Sequence, residues 1–304
     1  MKRLLFFSQI LLFIAFNIFL LLATYQFFGS SSYSVQNLSY SEPVYDQAEE
    51  FDPSLQRLNS MNKISAYCDS VYRSEIASRG SVPESFYPEL VSAVVRKRFY
   101  HGYSVYGLNS NYMAVGMSRM IMSGLSAIVV PDDILKYPYA ACSQQSIITM
   151  ELLREKGYDT RKVGLSGNIT GHFTFEAFYQ NSWHYYDTDK EPDAAYLNAN
   201  NRPSIAYLNE HPEMLVRAYS RYSKAYVMDV FTNYSYGSVN EFPAEKAIIF
   251  QYVTKFLSYT MWSFFLLAFV FVRKKYKQYG LVTSTQKRRR IAGTPVPVPV
   301  CSPA

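Results

Sequence analysis

Three residues in the middle of the sequence, Cys142, His172 and Asp187, have the types and the order of a thiol nucleophile system. In such a system a thiolate attacks a carbonyl carbon, an imidazole carries the proton and a carboxylate orients the ring. The thiolate is the attacking species, so Cys142 must sit where negative charge is favoured. A helix N-terminus is such a place, because its unpaired N–H groups and the macrodipole attract an anion. His172 must withdraw the thiol proton and return it to a leaving group. Asp187 must project from the same surface as His172.

The local sequence predicts elements that meet these conditions. Residues 137–140 come in extended, since Pro138 disfavours helix in the residue before it. Over 141–156 the pattern turns helical, with Ile147, Ile148, Met150, Leu152 and Leu153 apolar and Glu151, Arg154, Glu155 and Lys156 polar. Gly157 suits the position just past the helix end. Cys142 then lies in the first turn. Residues 172–179 and 182–187 read as two strands joined around Gln180 and Asn181. In an antiparallel hairpin with a two-residue loop, paired residue numbers have an odd sum. The numbers 172 and 187 also add to an odd number, so both side chains share a face, directly opposite or diagonal. A three-residue loop without a bulge would place them on opposite faces. The backbone N–H of Cys142 is one candidate oxyanion donor, with Gln144 and Gln145 as others.

These motifs carry a family resemblance. A cysteine opens a helix at Cys142, a Gly-x-x-x-Arg-x-Val element follows at Gly157, Arg161 and Val163, then His172 with Glu176, then Trp183 and Asp187. In order and spacing the stretch resembles the transglutaminase-like superfamily, relatives of the papain-like thiol enzymes. The resemblance covers the middle of the chain. It implies an α+β fold with a papain-like core of helices and a small antiparallel sheet. It implies Cys142 as nucleophile, His172 as base and acid, Asp187 as the orienting residue, and structural roles for Glu176 and Trp183. The implied activity is hydrolysis or transfer of a peptide or glutamine-type amide through a Cys thioester, with no cofactor. Two departures stand out. Tyr139, Ala140 and Ala141 replace the glycine often found before the cysteine, and Asp187-Thr188-Asp189 replaces the usual Asp-Pro-Thr.

Around this core the chain reads as a membrane protein. Residues 4–28 carry no charge and are long enough to span a hydrocarbon core of roughly 30 Å. A cleaved signal peptide is the rival reading, but its apolar region would be only about 7–15 residues. Residues 247–272 form the second expected span, with Lys255 placed to snorkel and Tyr252, Tyr259 and Trp262 at an interfacial level. Basic residues lie outside both spans, at Lys2 and Arg3, at Arg273, Lys274, Lys275 and Lys277, and at 287–290. The positive-inside rule then gives a cytoplasmic N-terminus at 1–3, an extracytoplasmic domain at 29–246 with its motif core at 137–192, and a basic, Pro-rich cytoplasmic tail at 273–304. The expected partners are membrane lipid and a protein or peptide substrate.

The formal charge of +6 does not signal nucleic acid. Residues 26–246 hold 19 basic residues against all 24 acidic ones, a net of −5, and show no basic patch interleaved with aromatics. Three cysteines, Cys68, Cys142 and Cys301, make no disulfide framework, and no paired Cys or His metal spacing occurs. Cys68 reads as a packed thiol. Residues 113–130 read as core with methionine filling, and His101, His184 and His211 as packing or turn residues. Residues 106–112 and 190–204 read as loops, and 231–240 as a polar lead back to the membrane. The sequons at Asn37, Asn168 and Asn233 matter only where the organism glycosylates. A competing reading keeps the fold without the catalysis, as a scaffold that binds a protein or polysaccharide partner in envelope assembly.

Overall fold

The computed structural model describes residues 2–29, 50–122, 124–168, 171–190 and 192–291. The linker at 30–49 and the tail from 292, with Cys301, lie outside the described residues. The chain is α+β and divides into two units, one of residues 1–30, 108–113 and 254–304, the other of residues 31–107 and 114–253.

In the first unit, α1 (Lys2–Gly29) has a mean hydropathy of 2.5, and the apolar part of the last helix, α11 (Glu245–Ile291), reaches 1.6. Both are long and apolar enough to cross a membrane. They run antiparallel through aromatic contacts, with Phe19 stacked on Phe265 at 4.9 Å and Phe13 near Phe269 at 5.5 Å. A polar bond lies inside this seam: the amide of Gln26, fully buried, donates to Ser258 Oγ at 2.8 Å. With little hydrophobic drive between helices in lipid, ring packing and such a hydrogen bond are what can register them.

The second unit begins with a 3-10 turn at Pro53–Arg57, followed by α2 (Met61–Arg79), α3 (Phe86–Arg98) and the short strand β1 (Tyr100–His101). Next in the chain come α4 (Leu108–Met120), kinked at Asn111 and with residues 108–113 counted in the first unit, then α5 (Pro131–Ile134), β2 (Tyr139–Ala140) and α6 (Cys142–Glu155). The sheet strands are β3 (Asp159–Ser166), β4 (Gly171–Tyr179) and β5 (Ser182–Tyr186). Four short helices follow, α7 (Ala194–Ala199), α8 (Ile205–Glu210), α9 (Pro212–Ala218) and α10 (Lys224–Val230), then β6 (Asn233–Tyr236).

The main sheet is antiparallel in the order β5-β4-β3-β6. Alternation sets its two faces. Phe175, Ala177, Tyr179 and Tyr186 join Ile148, Met150, Leu152 and Leu153 of α6 in one core. Val163, Leu165 and Tyr185 join residues of α7–α10 in a second core on the other side. The β4–β5 turn is two residues long, with Gln180 and Asn181 at φ +48° and +59°, as a type I′ hairpin requires. The end of α6 is fixed by Gly157 at φ +89°, where the Tyr158 N–H donates to the Leu153 carbonyl.

Several elements differ from the sequence-based expectation. The stretch read as a polar lead to the membrane supplies β6, because its exposed pattern suits an edge strand. The loop at 190–204 contains α7, capped by the Asp193 side chain, and α4 begins inside the loop expected at 106–112. Met120 and Met122 are exposed, because Met120 is the last residue of α4 and Met122 lies just beyond its end. The last helix runs past 272 to Ile291.

One buried charge anchors the sheet to α8. Glu176 is fully buried on β4; its Oε2 accepts from Arg161 Nε at 2.7 Å and its Oε1 accepts from the Ile205 N–H at 2.7 Å. The Arg161 guanidinium lies between the rings of Trp183 and Tyr236, 4.2 and 3.7 Å from their centroids. Glu176 and Trp183 are thus engaged in packing within the sheet, away from the thiol chemistry that the resemblance assigns elsewhere. Removing the arginine alone strands a buried carboxylate, so Arg161→Ala is expected to cost about 3–5 kcal/mol. Denaturant unfolding followed by Trp183 fluorescence in a Trp262→Phe background checks this, with Arg161→Ala/Glu176→Gln recovering part of the loss.

Candidate active site

Cys142 opens α6 and is half-buried. Ala141 precedes it as N-cap residue and has no side-chain oxygen to cap with, so Gln144 takes over. Its Oε1 accepts from the N–H groups of Ala141 (3.1 Å) and Ser104 (2.9 Å). Its Nε2 donates to the carbonyls of Ser104 (2.9 Å) and Ile128 (2.7 Å). One buried amide thus ties three backbone segments together at the point where the thiol emerges. The parallel pairing of β1 with β2 adds a further tie two residues before Cys142, with His101 opposite Ala140.

His172 lies near the start of β4 and Asp187 one residue past the end of β5. The β4–β5 register pairs Phe175 with Tyr186, so Asp187 is diagonal to His172 on the shared face, as the parity argument requires. His172 Nε2 lies 2.8 Å from Asp187 Oδ2, and both residues are buried. With the proton placed on Nε2 by this bond, Nδ1 is the nitrogen left for the thiol. The Cys142 sulfur and a ring nitrogen of His172 are within 4.8 Å.

The electrostatics follow from the burial. Burial alone would lower the His172 pKa, but the charge and hydrogen bond of Asp187, with those of Cys142, raise it above its ordinary value. Burial would raise the Asp187 pKa, yet the His172 charge and bond and the donors around it hold the carboxyl low. Asp187 Oδ1 accepts from the N–H groups of Asp189 (3.1 Å) and Lys190 (3.0 Å), and Oδ2 also accepts from Tyr219 OH (2.9 Å). Burial, then the Asp187 charge, push the Tyr219 hydroxyl up, so it stays a donor.

The sequence-based reading misses two residues here. Asp189, in the position where the family pattern has threonine, is buried, and its carboxylate is also within 4.8 Å of the Cys142 sulfur and a His172 nitrogen. His101, expected to be only a packing or turn residue, has Nδ1 2.7 Å from Asp189 Oδ1. Nothing local in the sequence connects positions 88 residues apart. The departure from Asp-Pro-Thr was the available signal for Asp189. Two expected candidates are removed: the Gln144 amide is fully engaged, and Gln145 Nε2 donates to the Ala140 carbonyl (3.0 Å) and to Asp189 Oδ1 (3.2 Å). Neither is left to serve an oxyanion. His184 is packed as expected, stacked on Tyr179 with Nδ1 donating to the Arg202 carbonyl at 2.8 Å. Cys68 is fully buried, and burial with the Asp69 charge pushes its thiol up to about 12.

The pair makes stability depend on pH. The raised His172 contributes in full below its ordinary value of 6.5 and loses this as pH rises through its folded value. The lowered Asp187 contributes in full above 3.8 and loses this as pH falls through its folded value. The gap in unfolding midpoint between wild type and Asp187→Asn should therefore be widest between about pH 4 and 6.5 and narrow on either side. Thermal unfolding at a series of pH values tests this; a gap that does not vary with pH would refute the ion-pair assignment.

Comparison with family models, with curated proteins and with solved structures finds no match to this chain, so the reading of the site rests on its geometry and on the sequence pattern.

Proposed function

We propose that this chain is a membrane-anchored, transglutaminase-like thiol acyl-transfer enzyme with a papain-like core. The observation that carries the reading is the buried His172–Asp187 pair beside a thiol at a helix start. His172 Nδ1 takes the thiol proton. The Cys142 thiolate attacks an amide carbonyl, and the carbonyl π electrons move to oxygen. The N–H groups of Cys142 and Ser143, in the first turn where a helix has no acceptor for them, are the donors available to that oxyanion. The protonated His172 then gives its proton to the leaving amine, and a thioester remains. Water or an amine, deprotonated by His172, attacks the thioester and releases the thiol. Water gives hydrolysis, and an amine gives transfer.

Asp187 keeps the ring in its tautomer and stabilises the imidazolium in each step. Peptides and glutamine-type side chains are the substrate class that this chemistry and the family pattern support. The two apolar helices and the basic residues beyond them support an arrangement with both chain ends cytoplasmic and the thiol domain outside.

Two measurements test this. In full-length protein in detergent, with Cys301→Ser, iodoacetamide should modify Cys142 at pH 6, where a free thiol of pKa about 8.5 hardly reacts. His172→Ala should remove this low-pH reactivity while leaving reaction at pH 9. Low-pH reactivity that is absent, or unchanged by His172→Ala, would favour the non-catalytic scaffold. On intact cells a membrane-impermeant maleimide should label Cys142 and spare Cys301 until the membrane is opened. The reverse pattern would overturn the sidedness.

A further inference from the structure

Three donor atoms of three chemical kinds converge at the thiol. Cys142 Sγ, a ring nitrogen of His172 and a carboxylate oxygen of Asp189 all lie within 4.8 Å of one another. They come from the start of α6, the start of β4 and the segment after β5, so no linear spacing announces them. An equilateral triangle of that side has its centre about 2.8 Å from each corner, against metal–ligand distances of about 2.0–2.3 Å for zinc. Each donor therefore has about 0.5–0.8 Å to move.

The surroundings supply what metal ligands need behind them. A ligating imidazole is set by a carboxylate on its other nitrogen, and Asp187 Oδ2 stands 2.8 Å from His172 Nε2. A ligating carboxylate is itself held by donors, and Asp189 Oδ1 accepts from His101 Nδ1 at 2.7 Å and Gln145 Nε2 at 3.2 Å. Both backing groups are already in place. The donor set of one thiolate, one imidazole and one carboxylate suits a borderline-soft ion and not magnesium or calcium, which prefer all-oxygen sites. Cys142 is half-buried, so the fourth position of a tetrahedral ion is reachable by water.

We propose that Cys142, His172 and Asp189 form a site for one zinc-like divalent transition ion, with the fourth position open, and that its occupancy shuts off the thiol. The sulfur lone pair that would attack a carbonyl is the one that binds the ion, and the His172 nitrogen that would carry the proton is occupied too. The binding stands on the ligand geometry alone, while the shut-off rests on the thiol-enzyme reading above.

Cobalt(II) is the probe, because a thiolate ligand gives it a strong near-ultraviolet charge-transfer band. The protein is the full chain in detergent, free of any histidine tag, with Cys301→Ser. One equivalent of cobalt should produce the band, and one equivalent of zinc should remove it. Cys142→Ser should abolish the band. His172→Ala and the near-isosteric Asp189→Asn should each weaken binding about tenfold or more. Zinc should also protect Cys142 from iodoacetamide. The absence of a band, or a band kept at full affinity in both His172→Ala and Asp189→Asn, would overturn the site. Because cobalt binding is read without alkylation or substrate, its failure is distinguishable from failure of the low-pH alkylation that tests the enzyme reading. Circular dichroism of Asp189→Asn confirms that any loss reflects the ligand and not the fold.

Discussion

A full negative charge on Asp187, buried to 2% exposure, is the constraint around which this site is built. A lone carboxylate there would be prohibitively costly to desolvate, so the fold must bring it donors. It brings four, the His172 ring, the Tyr219 hydroxyl and the N–H groups of Asp189 and Lys190, which use up the lone-pair positions of both oxygens. The four donors come from three different parts of the second unit. The β4–β5 register delivers His172, the end of α9 delivers Tyr219, and a tight turn after β5 delivers the two backbone groups. Tyr185 extends the chain by a hydroxyl contact of 2.9 Å to Tyr219. The orientation of the imidazole is thus a consequence of satisfying one buried charge.

The thiol is placed by a second, uncharged device. Gln144 joins Ser104, Ile128 and Ala141 through four hydrogen bonds. The helix start at Cys142 is then referenced to chain segments well removed in sequence. Glu176 with Arg161 does the corresponding work for the sheet, tying β4 to β3 and to α8. Buried polar networks of this sort are costly when incomplete and directional when complete, which is what a site accurate to a fraction of an ångström requires.

Where the chain's own periodicity or turn chemistry decides the structure, the sequence can be read directly. The α6 start and its Gly157 stop, the Gln180–Asn181 hairpin, the shared face of His172 and Asp187 and the apolar spans are all local decisions. What was not legible depends on distant segments. β6 has an exposed, polar strand pattern and acquires its identity only from pairing with β3. The β1–β2 pair is two residues long on each side, too short for any alternation to show. The methionines at 120 and 122 look like core because composition cannot tell a helix interior from the exposed end of a helix and the residues just past it.

The same distinction explains the two carboxylates that flank Thr188. Asp187 is enclosed by donors on both oxygens, which leaves it the single task of holding His172. Asp189 is held through Oδ1 by His101 and Gln145 and brings a carboxylate oxygen to the thiol itself. The turn between the two carboxylates is closed by the Asp187 side chain, which caps the N–H groups of Asp189 and Lys190. Asp189 thus places a second carboxylate beside the thiol. It adds a donor atom for a cation, and through its Oδ1 it links the thiol to the exposed His101.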